Sequence, residues 1–265
     1  MMNRRHGYFV FWGFILALCC VSCKPKGSTL NGENLKVAKI QYQYEKLDDK
    51  YNGANDVSAI IAPYREKLQS DMSRVIGHAS DNMFKGKPES VLSNYCSDLL
   101  LDAGQDIAKE KIKGIKVDFA MLNNGGLRVP INKGDITVEN IFQLMPFENE
   151  VVLLQLTGDQ VKAFLNYIAS RGGESVAGVR FVIKDNKATK ALLQNKKIVS
   201  TQKYWLITSD YIADGGDGSG VLKKALKRVN AGIRLRDLMI DYISDQTEKG
   251  IVISSKLDGR IKNGK

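Results

Sequence analysis

The chain has 265 residues, 43% hydrophobic and 26% charged, with a net charge of +10. It is too aliphatic for a disordered chain and too polar for a polytopic membrane protein, and four cysteines over this length do not make a disulfide scaffold. Its two histidines, His6 and His78, exclude any site that this chain would have to build from several of them, such as a zinc cluster or a dinuclear phosphatase centre.

Residues 1–22 read as a secretory signal. Arg4 and Arg5 supply the positive start, and Tyr8 to Leu18 is almost wholly apolar but short for a membrane-spanning helix. Ser22-Cys23 ahead of Lys24-Pro25 resembles the lipobox of bacterial lipoproteins. Cys23 is thus the expected lipidation site, with Cys19 and Cys20 as alternatives. Two acyl chains suffice for stable membrane attachment, so the expectation is an exported lipoprotein on the periplasmic or cell-surface side. Without Arg4 and Arg5 the chain keeps 37 basic and 29 acidic residues, and Cys96 is the one cysteine left unmodified, so no internal disulfide is expected. Residues 23–36, rich in Gly, Ser, Thr and Asn around 27–34, read as a lipid-anchored tether, and 37–265 as the domain.

Ile40, Tyr42 and Tyr44 alternate and predict a strand. Val57, Ile60, Ile61, Tyr64, Leu68, Met72 and Val75 recur every three or four residues and predict an amphipathic helix, with Asn55 or Asp56 near its N-cap. A second helix is expected from about Glu89 to Lys111, through Val91, Leu92, Tyr95, Leu99, Ala103 and Ile107. Ile115 to Leu122 predicts a buried strand, Val138 to Leu144 a short helix, Val151 to Leu156 a strand, and Asp159 to Ser170 a helix opened by Thr157-Gly158. Strands are expected at Val179–Ile183, Ala191–Val199 and Tyr204–Thr208, and a last helix at Leu235–Thr247. Without a regular βαβ alternation, the pattern predicts an α+β fold with a mixed sheet. Lysine pairs such as Lys196-Lys197 and Lys223-Lys224 are scattered and form no basic stripe, so no nucleic-acid partner is expected.

Three segments carry chemistry. Asn123-Asn124-Gly125-Gly126-Leu127-Arg128 follows a buried strand; its glycines let backbone approach a ligand, and Arg128 offers a planar fork for phosphate or carboxylate. It lacks the Gly-Lys-Ser/Thr ending of a Walker loop. In Leu144-Met145-Pro146-Phe147-Glu148-Asn149 a stiff turn presents an aromatic ring. In Asp210-Tyr211-Ile212-Ala213-Asp214-Gly215-Gly216-Asp217-Gly218 a second aromatic precedes an acidic Gly-Gly turn. Asp217 suits a pair of vicinal hydroxyls, and the spacing is not that of an EF-hand. Two aromatics, an amide, a guanidinium and a carboxylate at strand ends fit a flat heterocycle with an anionic tail.

In order and spacing these segments resemble the C-terminal domain of the bacterial 5′-nucleotidase/UDP-sugar hydrolase and animal ecto-5′-nucleotidase family. That family's patterns are N-x-G-G-[IL]-R, P-F-x-N and [ND]-[FY]-L-A-x-G-G-D-G, the last with Ile212 in place of leucine here. Glu89-Ser90 with Asn94 and Asp98, Gly134-Asp135-Ile136-Thr137, and Gly178-Val179-Arg180 also have counterparts, so the resemblance covers roughly residues 39–260.

The resemblance implies a mixed-sheet domain of the 5′-nucleotidase C-terminal type and a site of Asn123, Gly125, Gly126, Arg128, Phe147, Asn149, Gly178, Tyr211 and Asp217. Phe147 and Tyr211, the latter replacing the commoner phenylalanine, match the base-stacking rings. Asn123 matches a nucleoside contact, Asp217 the residue holding ribose hydroxyls, and Arg128 a phosphate contact. A further family arginine falls at Gly86, between Lys85 and Lys87. The family's N-terminal metallophosphoesterase motifs, which hold two divalent metals, do not occur in these residues. The expectation is therefore a nucleotide-recognition half, without cofactor or catalytic residue of its own and inactive alone. It would present phosphate to a separately encoded dimetal phosphatase. The alternatives are a stand-alone nucleotide- or nucleoside-binding lipoprotein, or a scaffold whose loops persist as mere turns.

Overall fold

The computed structural model describes residues 42–46 and 55–264; the signal, Cys23 and the tether lie outside the described residues. In chain order the elements are α1 (Asn55–Ser73), β1 (Val75–Ala79), α2 (Val91–Lys111), β2 (Phe119–Leu122), β3 (Gly134–Thr137), α3 (Val138–Leu144), β4 (Glu150–Thr157) and α4 (Gly158–Ser170). They continue with β5 (Ser175–Ala177), β6 (Val179–Lys184), β7 (Lys187–Leu193), β8 (Lys196–Lys197), β9 (Lys203–Ser209), α5 (Asp210–Ala213), β10 (Lys227–Arg234), α6 (Leu235–Glu248) and β11 (Ile261–Asn263).

Side chains alternate across a strand, and the central strands use the alternation to build two cores. The five-stranded sheet runs β10-β4-β9-β2-β5, with β2 and β9 parallel and the other pairs antiparallel. Ala120, Leu122, Val151, Leu153, Trp205 and Ile207 enter one core with Leu92 and Leu99 of α2 and Met239 and Ile243 of α6. Phe119, Met121, Val152, Leu154, Tyr204 and Leu206 enter the other with Phe164 and Ile168 of α4 and Phe181 of β6. Burial on both faces explains why these strands read as unbroken apolar runs. A four-stranded sheet, β11-β6-β7-β8, and a two-stranded one, β1-β3, complete the mixed α+β architecture.

Helices α2, α3 and α4 begin at side-chain caps. The Ser90 side chain accepts from the Ser93 N–H at the start of α2. Thr137 with Asn140, and Thr157 with Gln160, form reciprocal capping boxes ahead of α3 and α4.

Four expectations need correction. Residues 42–46 form no strand, and Ile40 lies outside the described residues. Helix α1 forms, but Val57, Ile60, Tyr64 and Leu68 are exposed; its packing is with α3, and Met72 near its C-terminal end reaches the core. Strand β2 starts at Phe119 because the Gln105 side chain bonds both backbone groups of Val117, accepting from its N–H at 3.1 Å and donating to its carbonyl at 2.9 Å. The strand expected over 191–199 is broken into β7 and β8 by Gln194 and Asn195, both at positive φ (49° and 60°), in a two-residue hairpin turn. Strands β1, β3, β5, β10 and β11 were not anticipated. β10 is a half-polar edge strand and the others have five residues or fewer, so none shows a clear period.

Candidate functional site

The sheet's connectivity gathers the three segments at one end. β2 and β9 are parallel neighbours, Phe119 beside Leu206 and Ala120 beside Ile207, so the Asn123–Arg128 turn and the Asp210–Gly218 segment leave the sheet on the same side. β4 runs antiparallel to β9, with Val151 opposite Ser209, so the loop entering β4 arrives at that same end. The Arg128 N–H donates to the Leu144 carbonyl at 2.9 Å, which ties the first turn to the base of the Pro146–Asn149 loop.

Between them lies a cavity of about 280 Å³ lined by Asn123, Gly125, Gly126, Arg128, Phe147, Asn149, Tyr211 and Asp217. Phe147 and Tyr211 are 38% and 43% exposed, unusual for rings held beside a core. The Arg128 guanidinium carbon stands 5.9 Å from the centre of the Phe147 ring. Gly216 admits the Tyr211 ring: a Cβ there would lie 2.5 Å from the ring's Cε1. Asp217 sits in the left-handed region (φ 54°), which aspartate tolerates better than most residues. Its carboxylate accepts from Asn123 Nδ2 at 2.8 Å and from the Tyr211 hydroxyl at 3.0 Å, so one side chain joins two of the three segments across 94 residues.

Of the expected residues, Gly178 is not among those lining the cavity. It joins β5 to β6 at φ 78°, where a Cβ would stand 2.5 Å from the Asp118 carbonyl oxygen. Its glycine character is a requirement of the chain path. Lys85 and Lys87, which flank the position of the family arginine, also point elsewhere. Lys85 Nζ donates to the carbonyls of Leu127 (2.8 Å) and Asn124 (3.4 Å), and Lys87 Nζ donates to the Arg171 carbonyl.

Sequence reasoning missed the residues that hold the site from behind. Glu174, its side chain 1% exposed, accepts from the Asn124 N–H at 2.6 Å and from Arg171 Nε at 2.8 Å. Arg171 Nη1 and the Tyr167 hydroxyl donate to the Asp217 carbonyl at 3.1 and 3.3 Å. Burial pushes the Tyr167 hydroxyl up to about 12, so it stays protonated as a donor at neutral pH. One available signal was a glutamate placed directly after the Gly172-Gly173 helix stop and ahead of the small residues Ser175-Val176-Ala177. On the outer side, Glu148 accepts from Arg236 Nη2 at 2.6 Å and pairs with Arg234 Nε at 2.8 Å, which fixes the loop carrying Phe147. The Arg236 hydrogen bond, with both guanidinium charges, holds the Glu148 carboxyl below the usual carboxylate range.

Comparison with known proteins adds a family to this geometry. The 5′-nucleotidase C-terminal domain profile matches residues 75–224. A 5′-nucleotidase of Vibrio parahaemolyticus is 28% identical over 192 residues, covering 71% of this chain and 33% of that protein. Protein UshA of Escherichia coli is 27% identical over 192 residues, covering 70% and 34%. The chain thus spans about a third of the length of these relatives. Among solved structures, a 5′-nucleotidase precursor from Thermus thermophilus superposes with a TM-score of 0.65 at 24% identity, covering 78% of this chain and 43% of that one; this likeness concerns the fold.

Proposed function

We propose, from the premise that this chain belongs to the 5′-nucleotidase C-terminal domain family, that the cavity at the end of the five-stranded sheet binds a nucleotide. The base lies between Phe147 and Tyr211; base–aromatic stacking contributes about 1–3 kcal/mol per base. Asp217 accepts the sugar hydroxyls, Asn123 meets the nucleoside, Gly125 and Gly126 leave room for close approach, and Asn149 closes the rim. Arg128, whose guanidinium matches phosphate geometry, takes the phosphate. The observation that carries the reading is the convergence of two half-exposed rings, an amide, a guanidinium and a carboxylate on one space, from segments far apart in the chain.

The chain is read as the recognition half of a nucleotide hydrolase. Among the described residues no group of three His, Cys, Asp or Glu side chains is placed to hold a metal ion. Two divalent metals in a separately encoded metallophosphatase would supply the Lewis acid and the activated water. This chain's residues bind and orient the nucleotide and leave its phosphate exposed beside Arg128. A lipid on Cys23 would keep the protein at the envelope, a reading supported by Arg4, Arg5, the apolar run and Ser22-Cys23.

Calorimetry with AMP on the leader-free chain tests the first part: binding that weakens in Phe147→Ala is expected, and no binding at millimolar concentration would overturn it. Mixing with a single-domain metallophosphatase from the same organism tests the second. AMP hydrolysis should rise on mixing and fall again with Phe147→Ala. Tight binding without a rise favours a stand-alone nucleotide-binding lipoprotein. Loss of lipid labelling in Cys23→Ala checks the anchor.

A further inference from the structure

The Tyr211 side chain brings more to this cavity than a ring. Its hydroxyl donates to Asp217 Oδ1 at 3.0 Å, while Asn123 Nδ2 donates to Oδ2 at 2.8 Å. A carboxylate has about four lone-pair sites, two on each oxygen. The two bonds therefore leave each oxygen one acceptor site. They also stop a rotation: the terminal torsion of aspartate is broad and weakly preferred, but here each oxygen is held by a donor from a different loop. Arg171 Nη1 and the Tyr167 hydroxyl anchor the backbone carbonyl of the same residue, at 3.1 and 3.3 Å, so the carboxylate is fixed at both ends of its short side chain.

We propose that the Tyr211 hydroxyl is a positioning group that sets the preference of this site for ligands carrying a vicinal diol. The inference rests on the nucleotide reading and deepens it by naming what selects the sugar. With one free acceptor site on each oxygen and the carboxylate plane fixed, two adjacent hydroxyls can each donate to a separate oxygen without reorienting it. A phenylalanine at this position keeps the π-face and removes the clamp on Oδ1. The carboxylate is then held on Oδ2 only, by the Asn123 amide and by Arg171 Nη2 at 3.7 Å, and the diol must order Oδ1 on binding, a cost borne only by ligands that use both oxygens.

The test is a four-way calorimetric comparison of the leader-free chain and its Tyr211→Phe variant, each titrated with AMP and with 2′,3′-dideoxy-AMP. Loss of one hydrogen bond to a charged partner is expected to weaken AMP about tenfold more than it weakens the dideoxy nucleotide. Equal weakening of both ligands would mean that the hydroxyl serves only the ring or the local fold, and would overturn the proposal. Tighter AMP binding by Tyr211→Phe would also overturn it, since the hydroxyl would then be competing with the sugar for Asp217. Tyr211→Ala separates the two levels of inference. If AMP binds the parent chain and Tyr211→Ala abolishes binding, the nucleotide reading stands whatever the Tyr211→Phe ratio. If neither nucleotide binds the parent chain at millimolar concentration, both fall.

Discussion

The two sides of the Asn123–Arg128 turn are built on opposite terms. Behind it nearly every strong polar group is committed within the protein: Lys85 to two carbonyls, Glu174 to Arg171 and the Asn124 N–H, Lys87 to the Arg171 carbonyl. In front of it Asn123, Arg128, Phe147, Tyr211 and Asp217 surround open space, and both rings stand more than a third exposed. The difference teaches that the rear is built to hold the fold, and that the front, on the function proposed above, is left free to meet a ligand. A stiff backing is what lets a half-exposed set of side chains keep one arrangement while empty.

Substitutions that fall on one side or the other break or sharpen that contrast. The largest effect is expected behind the turn. Glu174→Ala leaves the Asn124 N–H and Arg171 Nε without their acceptor, while the Arg171 bond to the Asp217 carbonyl remains. The expected loss is about 2–3 kcal/mol in urea or thermal unfolding, below the full value for a buried pair because Arg171 is one-third exposed. Nucleotide affinity should fall with it, since the same carboxylate reaches Asp217 through Arg171. A variant that melts like the parent chain would refute the division of labour.

In front of the turn the pattern should invert. Phe147→Ala is expected to lower AMP affinity by about 1–3 kcal/mol, while unfolding shifts by no more than about 0.5 kcal/mol, as for most exposed substitutions. A large melting change with intact binding would place Phe147 in the core and not in the site. Smaller again is Arg128→Ala, expected to weaken AMP about tenfold and adenosine much less. Equal weakening would show that Arg128 supports the Phe147 ring, 5.9 Å away, and does not meet phosphate.

The smallest effect concerns the outer strut of the Phe147 loop. Glu148 has its carboxyl held down by Arg236 and Arg234, so its contribution is present above its ordinary value of 4.5 and is lost as pH falls through the lowered one. The stability difference between the parent chain and Glu148→Gln should be constant from pH 7 to about 4.5 and shrink at lower pH. A difference that persists in strong acid would mean that the loop is held by packing.

What could be read from the chain alone follows the same division. The front was legible because its chemistry sits in short loops whose composition is unusual: paired glycines beside Asn, an aromatic after proline, an acidic residue in a Gly-Gly turn. The rear was not, since Arg171 and Glu174 close a helix end and meet Asp217 and Asn124 only after folding, across 46 and 50 residues. Helix α1 shows the limit of periodicity. Its spacing correctly gives a helix, but a stripe of apolar residues does not say what lies opposite, and Val57, Ile60, Tyr64 and Leu68 face outward among the described residues. Between β7 and β8 the apolar Ala191-Leu192-Leu193 gives way to Gln194-Asn195 and two lysines, and the turn preference of asparagine marks the break.

If the cavity binds nucleotide as proposed, the antiparallel pairing of Val151 with Ser209 makes ligand affinity a gauge of how two distant strands are aligned. Because both faces of β4 are greasy, sliding it by two residues against β9 would cost little in polarity, yet it would carry the Phe147 ring roughly 7 Å past the Tyr211 ring. A population trapped in such a misaligned state could pass for native in far-ultraviolet spectra and still be blind to nucleotide.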